Sequence, residues 1–119
     1  MSRQRFQIML VFLGGDNMPK ITVRLAPPLD SALDNLSAET GVLKSNLILL
    51  AINEALRRNK PYTPLSMPAS DENLRTTLRI PDHLKAMLET AANEKGCASN
   101  TLINTFVQIM IDNYKTIYK

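Results

Sequence analysis

The chain has little of what enzymes and metalloproteins are built on. Cysteine occurs once in 119 residues, at Cys97, so no internal disulfide can form and a reducing compartment suits the protein. Histidine also occurs once, at His83. Without a second His or another Cys there is no Cys/His cluster for a metal. Without a paired nucleophile or acid, His83 is expected to be an exposed residue near a helix start rather than a catalytic one. Tryptophan is absent and aromatics make up 5% of the residues, which leaves the core to aliphatic side chains and Met. No cofactor is implied, and the length leaves no room for a large cleft, so the protein is not expected to be an enzyme.

Long apolar runs are missing too. Arg3 and Arg5 followed by Phe6 to Leu13 resemble the opening of a signal peptide. The run is short, no small-residue cleavage site follows it, and it is far too short to cross a bilayer. A cytoplasmic protein without membrane contact is the expectation. Charge of one sign does not dominate either: the net charge is +3, with six Lys/Arg against four Asp/Glu in residues 18–60 and six against six in 61–119. A sum this small is a weak argument for nucleic acid, so the placement of the cations has to carry it.

That placement is organised around Lys20-Ile21-Thr22-Val23-Arg24-Leu25, which returns as Arg75-Thr76-Thr77-Leu78-Arg79-Ile80. A period of two reads each stretch as a short strand, with two cations and a Thr on one face and mostly apolar side chains on the other. Thr76, polar where the first stretch has Ile21, is expected near the ribbon's edge. An alternating basic strand met once is often only a solvated sheet face; meeting it twice in the same register argues against that.

Each strand is followed by two helical patterns. Ala26-Pro27-Pro28 ends the first strand and can open a helix, because Pro is tolerated in the first turn, where N–H groups lack partners. Asp30 then sits favourably near the helix start. Leu29, Ala32, Leu33 and Leu36 form its apolar face, and Gly41 is the expected stop. A second helix follows, with Leu47, Ile48, Ala51, Ile52, Ala55 and Leu56 inward and Lys44, Asn53, Glu54 and Arg57 toward solvent. The pattern repeats at a constant offset of 55, matching Thr22 with Thr77, Arg24 with Arg79, Leu29 with Leu84, Leu33 with Leu88, Glu39 with Glu94, Gly41 with Gly96, Leu47 with Leu102 and Ile48 with Ile103. Leu84, Met87, Leu88 and Ala91 then make one apolar face. The last helix, with Leu102, Ile103, Phe106, Val107, Met110, Ile111 and Tyr114, is apolar on most of its circumference and needs more than one neighbour.

The expected organisation is therefore an N-terminal extension at 1–17, a first unit at 18–58, a Pro-rich linker at 59–73 and a second unit at 74–119. Residues 1–17 do not fit the repeat and are expected to lie outside the fold, with Met18, just before Pro19, as an alternative start; the other reading is an extra strand at Phe6 to Leu13. A unit of roughly 40 residues is too small to support its own core without disulfides or metal. Two units must share one; the simplest arrangement pairs the two strands antiparallel over four helices, and the sequence leaves open whether each strand pairs within the chain or with its copy in another chain. Cys97 is expected in the turn as a small buried residue. Arg57, Arg58 and Lys60 read as cations at a helix C-terminus.

The patterns ITVRLAPPL and RTTLRIPDHL, the Gly41 and Gly96 turns and the helices opening near Lys44 and Ser99 resemble the ribbon-helix-helix (MetJ/Arc-like) family of DNA-binding proteins. The resemblance covers residues 19–58 and 74–115. It implies a mostly α fold with a short antiparallel ribbon, two tandem βαα units acting as an intramolecular pseudo-dimer. It implies a sequence-specific binder of double-stranded DNA, a transcriptional repressor of a phage, plasmid or similar operon. Lys20, Thr22, Arg24, Arg75, Thr77 and Arg79 would contact base edges. Lys44, Ser45, Ser99 and Asn100, at the starts of the second helices, would contact phosphate. Many family members carry Ser or Thr as the cap of that helix; Leu43 and Ala98 stand there here, so the cap is expected to shift to Ser99 in the second unit and to rest on backbone alone in the first. Pairs of units could also associate along DNA as homo-oligomers. The alternatives are an accessory DNA-binding factor of a plasmid or mobile element and an antitoxin-like module that holds a protein partner.

Overall fold

The structure, a computed structural model, describes residues 18–58, 60–66 and 74–118, the last three of these without their side chains. Residues 1–17, with the alternative strand at Phe6 to Leu13, lie outside the described residues, as do 59 and 67–73 of the linker. The fold is mostly helical: strand β1 (Lys20–Leu25), helices α1 (Pro27–Thr40) and α2 (Lys44–Arg58), strand β2 (Leu74–Arg79), then helices α3 (Asp82–Lys95) and α4 (Ser99–Tyr118). The helix starts repeat at the sequence offset of 55, Asp82 matching Pro27 and Ser99 matching Lys44.

Local chemistry explains the boundaries. Ala26 is extended (φ −61°, ψ 139°), and Pro27 and Pro28 occupy the first helical positions of α1, as expected of a residue before proline and of prolines whose missing N–H costs nothing there. At the other ends, Gly41 and Gly96 adopt the left-handed conformation (φ 79° and 69°). The Gly41 N–H donates to Ser37 O (2.8 Å) and the Cys97 N–H to Ala92 O (3.0 Å), so each helix closes through a glycine that other residues would strain. The second-helix cap departs from expectation. Ala98 O accepts from the N–H groups of Thr101 and Leu102 (3.0 and 3.3 Å), and Leu43 O accepts from Leu47 (3.0 Å). Ala98 therefore holds the cap position and Ser99 is the first helical residue, because the bond from Leu102 already closes a turn one residue before Ser99.

The two strands pair antiparallel within the chain, Lys20 opposite Arg79, Thr22 opposite Thr77 and Arg24 opposite Arg75. The inner face carries Val23, Leu25 and Leu78, with Ile80 just beyond β2; all four are buried against Leu33, Ile48, Ile52, Leu88, Leu102, Ile103 and Phe106. β1 packs on α4 and β2 on α2, and α2 and α4 pack on each other. Each strand thus rests on a helix from the other half of the chain, so neither half encloses its own core.

Most side chains fall on the faces their spacing predicts, with informative exceptions. Met87, expected in the core, is 44% exposed, and Ala92 is buried in that layer instead; stepping inward from Leu84 and Leu88 by four residues reaches Ala92 and leaves Met87 on the shoulder. Cys97 is only partly buried, and His83 is exposed. The described part of the linker forms neither helix nor strand, yet it packs. Tyr62 meets Phe106 edge to face at 5.1 Å between centroids, Lys95 Nζ lies 4.6 Å over the Tyr62 ring, and the Leu65 N–H donates to Thr105 Oγ1 (2.9 Å). No helix among the described residues is long and apolar enough to cross a membrane.

Candidate functional site

The ribbon's outer face collects six of the ten side chains singled out in the sequence. Lys20, Thr22, Arg24, Arg75, Thr77 and Arg79 are all exposed, and neither strand contains Asp or Glu. The ladder also sets how closely they sit. The Ile80 N–H donates to Pro19 O (3.0 Å), which makes that pair, and every second pair along the register, hydrogen-bonded. The pairs Lys20–Arg79, Thr22–Thr77 and Arg24–Arg75 are then the non-hydrogen-bonded ones, whose side chains approach most closely. At one end two guanidinium groups face each other, at the other an ammonium faces a guanidinium, and two hydroxyls lie between.

The outer edge of β1 is covered at Arg24 by α4. The Arg24 N–H donates to Asn100 Oδ1 (2.8 Å), and Asn100 Nδ2 returns a bond to Arg24 O (2.9 Å). Asn104 Nδ2 donates to the same carbonyl (2.8 Å) and to Asn100 O (2.9 Å), while its Oδ1 accepts from the Ala26 N–H (3.0 Å). The two asparagines, four residues apart on one helix face, replace the neighbouring strand that an edge otherwise lacks. Asn104 is fully buried with its amide satisfied on both sides. It was not singled out in the sequence; the only signal was an amide on the otherwise apolar face of the last helix, a position that requires a hydrogen-bond partner.

The other residues expected at phosphate divide. Ser99 and Asn100 line, with Thr22, a depression of about 110 Å³ whose far wall includes Lys85 and Glu89. Lys85 was not anticipated there; its Nζ pairs with Glu89 Oε2 at 2.8 Å. Ser45 is half-buried near the start of α2. Lys44, expected to face solvent, instead turns back to α1, where Nζ lies 2.7 Å from Asp30 Oδ1 and 2.9 Å from Asp34 Oδ1. The Asp30 side chain is only 10% exposed, so its burial calls for a compensating cation, and Lys44 supplies it. The hydrogen bond to Asp30 holds the Lys44 ammonium above its ordinary range. Arg58 pairs with Glu54 along α2 (2.7 Å), whereas Arg57 and Lys60 are exposed.

Away from the ribbon, α2, α4 and the linker border a groove of about 570 Å³ lined in part by Ala55, Tyr62, Leu65 and Ile109. No cluster of three metal-ligating side chains occurs among the described residues. The chain matches no family model, no curated protein and no solved structure.

Proposed function

We propose that the protein binds double-stranded DNA through the β-ribbon, as a tandem ribbon-helix-helix protein whose two βαα units form an intramolecular pseudo-dimer. The observation that carries this reading is the register. Paired residues sum to 99 and repeated residues differ by 55. The two conditions meet at Thr22 and Thr77, so a pseudo-twofold axis would pass between the two hydroxyls at the centre of the outer face. An axis there exchanges Arg24 with Arg79 and Lys20 with Arg75, which is how a two-half DNA site would be approached.

Size and chemistry support the same reading. A six-residue ribbon is about 17–20 Å long, and a two-stranded ribbon fits a major groove about 12 Å wide. Arg donates two parallel bonds to a guanine edge, and Thr bonds a base or touches a thymine methyl. The starts of α2 and α4 have Leu43 and Ala98 as caps, neither with a side chain that can accept a hydrogen bond. Their first-turn N–H groups suit a phosphate. With Lys44 engaged by Asp30 and Asp34, phosphate contact at α2 falls to backbone and Ser45. Because the halves differ, Arg24 with Arg75 against Arg79 with Lys20, the preferred site is an imperfect repeat. Repression of a promoter overlapping that site is the regulatory role proposed.

An antitoxin-like reading draws on a different observation: beside α2 and α4 lies an apolar depression of about 240 Å³ lined by Ala51, Ala55, Phe106, Ile109 and Met110. Titration of random duplex DNA separates the two. Counterion release by the four ribbon cations, Lys20, Arg24, Arg75 and Arg79, predicts about a hundredfold loss of affinity between about 50 and 200 mM salt. No salt-dependent binding at the lower concentration would refute the DNA reading.

A further inference from the structure

We propose that Lys85 is a DNA-phosphate contact that gives up Glu89 for the DNA backbone running beside β1, while Lys44 stays with Asp30 and Asp34. This rests on the DNA-binding reading above and adds to it a contact from the first turn of α3, outside the ribbon and the starts of α2 and α4.

A ribbon that fills a major groove about 12 Å wide has a phosphate backbone along each of its edges. β2 pairs with one edge of β1, and beside β1 lies the depression of about 110 Å³ that Ile21 and Thr22 share with Lys85, Glu89, Ser99 and Asn100. Thr22 also stands opposite Thr77 at the middle of the outer face, so Lys85 flanks the part of the ribbon that enters the groove. The repeat does not place a like group in the other half. Under the offset of 55, Lys85, Glu89 and Ser99 stand where the first half has Asp30, Asp34 and Lys44. A lysine and a glutamate balance in one trio, whereas two aspartates outweigh the lysine in the other.

The two lysines also differ in how readily they change partners. Lys44 Nζ lies 2.7 and 2.9 Å from two carboxylates, and its departure would strand Asp30, whose side chain is 10% exposed, as a buried charge. Lys85 pairs with Glu89 at 2.8 Å, four residues along the same helix, and the two side chains are 34% and 52% exposed. Exposed pairs of this spacing hold their partners weakly, and a Glu89 already half in water is solvated once released. A phosphate takes its place with the added gain of counterion release, so the exchange favours DNA.

The test is salt titration of a duplex recovered by selection from a random library, with the full chain and with Lys85→Gln, Glu89→Gln and Arg57→Gln, the last removing an exposed cation at the far end of α2. Lys85 adds one phosphate's share, about threefold, to the fall in affinity between about 50 and 200 mM salt. Lys85→Gln should remove that share and leave the selected sequence unchanged, because phosphate contacts carry no base information. Arg57→Gln should leave the fall as it is. Glu89→Gln, which keeps the cation and deletes its competitor, should tighten binding about twofold at the lower salt. Unaltered salt dependence in Lys85→Gln, an equal change in Arg57→Gln, or no tightening in Glu89→Gln would overturn the contact while leaving DNA binding through the ribbon intact. If the unaltered protein shows no salt-dependent binding at all, the DNA reading fails and the contact with it.

Discussion

Replacing Arg24 with alanine should weaken binding while leaving folding nearly unchanged, which makes it the most informative single change. Arg24 lies directly opposite Arg75 in a non-hydrogen-bonded pair, where Cβ atoms are about 5 Å apart. With charged heads about 7 Å apart in water, the repulsion is roughly 0.6 kcal/mol, and physiological salt reduces it by about half. Removing it stabilises the fold by a few tenths of a kcal/mol, a gain of the same order as the strand propensity lost to Ala. Net stability should stay within about 0.5 kcal/mol of the parent. Binding to a selected site should weaken by about 1–3 kcal/mol, roughly 5- to 150-fold, the range for one bidentate base contact. Leu25→Ala, at a fully buried neighbour, provides the contrast: about 2–5 kcal/mol of folding stability should be lost. Urea denaturation measures the first quantity and fluorescence anisotropy at fixed salt the second. Unchanged binding in Arg24→Ala, or a loss of stability comparable with Leu25→Ala, would refute the assignment of Arg24 to a reading face.

Three further outcomes are expected. Lys44→Met should cost about 1–3 kcal/mol of stability, because it leaves the largely buried Asp30 without its cation; chemical denaturation at neutral pH measures this. Stability should be level through neutral pH and fall at alkaline pH. The Lys44 pKa is raised above 10.5 by its bond to Asp30, and that of Tyr62 above 10.0 by burial. Each contribution is fully present below the unfolded value and lost as pH rises through the folded one. Lys44→Met and Tyr62→Phe should each lessen that fall in a thermal-midpoint series. Gly41→Ala and Gly96→Ala should each cost about 1 kcal/mol of thermal stability, from backbone strain alone, since no atom lies within 4 Å of a Cβ added at either position.

Much of the fold is legible locally. Alternation in Lys20 to Leu25 and Arg75 to Ile80 marks the strands and their outer faces, because a period of two separates the faces whatever the partner is. Leu29, Leu33 and Leu36, and Leu47, Ile48, Ala51 and Ile52, mark buried helix faces by the same argument at a period of 3.6. The left-handed Gly41 and Gly96 follow from chain geometry alone. Met87 was misread because two apolar positions three residues apart can both suit a helix stripe, and only the facing layer selects which is covered.

The candidate site was legible in one part and hidden in the other. Exposure of the six ribbon side chains follows from the alternation. The fates of Lys44 and Asn100 do not, because a polar side chain at a helix start can cap, bind an anion or satisfy a neighbour, and the sequence leaves these equal. Lys44 is taken by Asp30 because folding buries that carboxylate within its reach. Asn100 and Asn104 are taken by Arg24 because packing α4 against β1 brings two amides to a strand edge whose N–H and C=O no neighbouring strand pairs. The repeat, the strand faces and the helix stops are thus properties of short stretches, set by backbone period and by residues such as Gly and Pro. Pairing within the chain, Thr22 opposite Thr77, the packing of Tyr62 on Phe106 and the grip on Arg24 join residues roughly 40 to 80 positions apart. They were decided only when the elements met, because a buried polar group or an unpaired strand edge is satisfied by whatever the fold brings within about 3 Å.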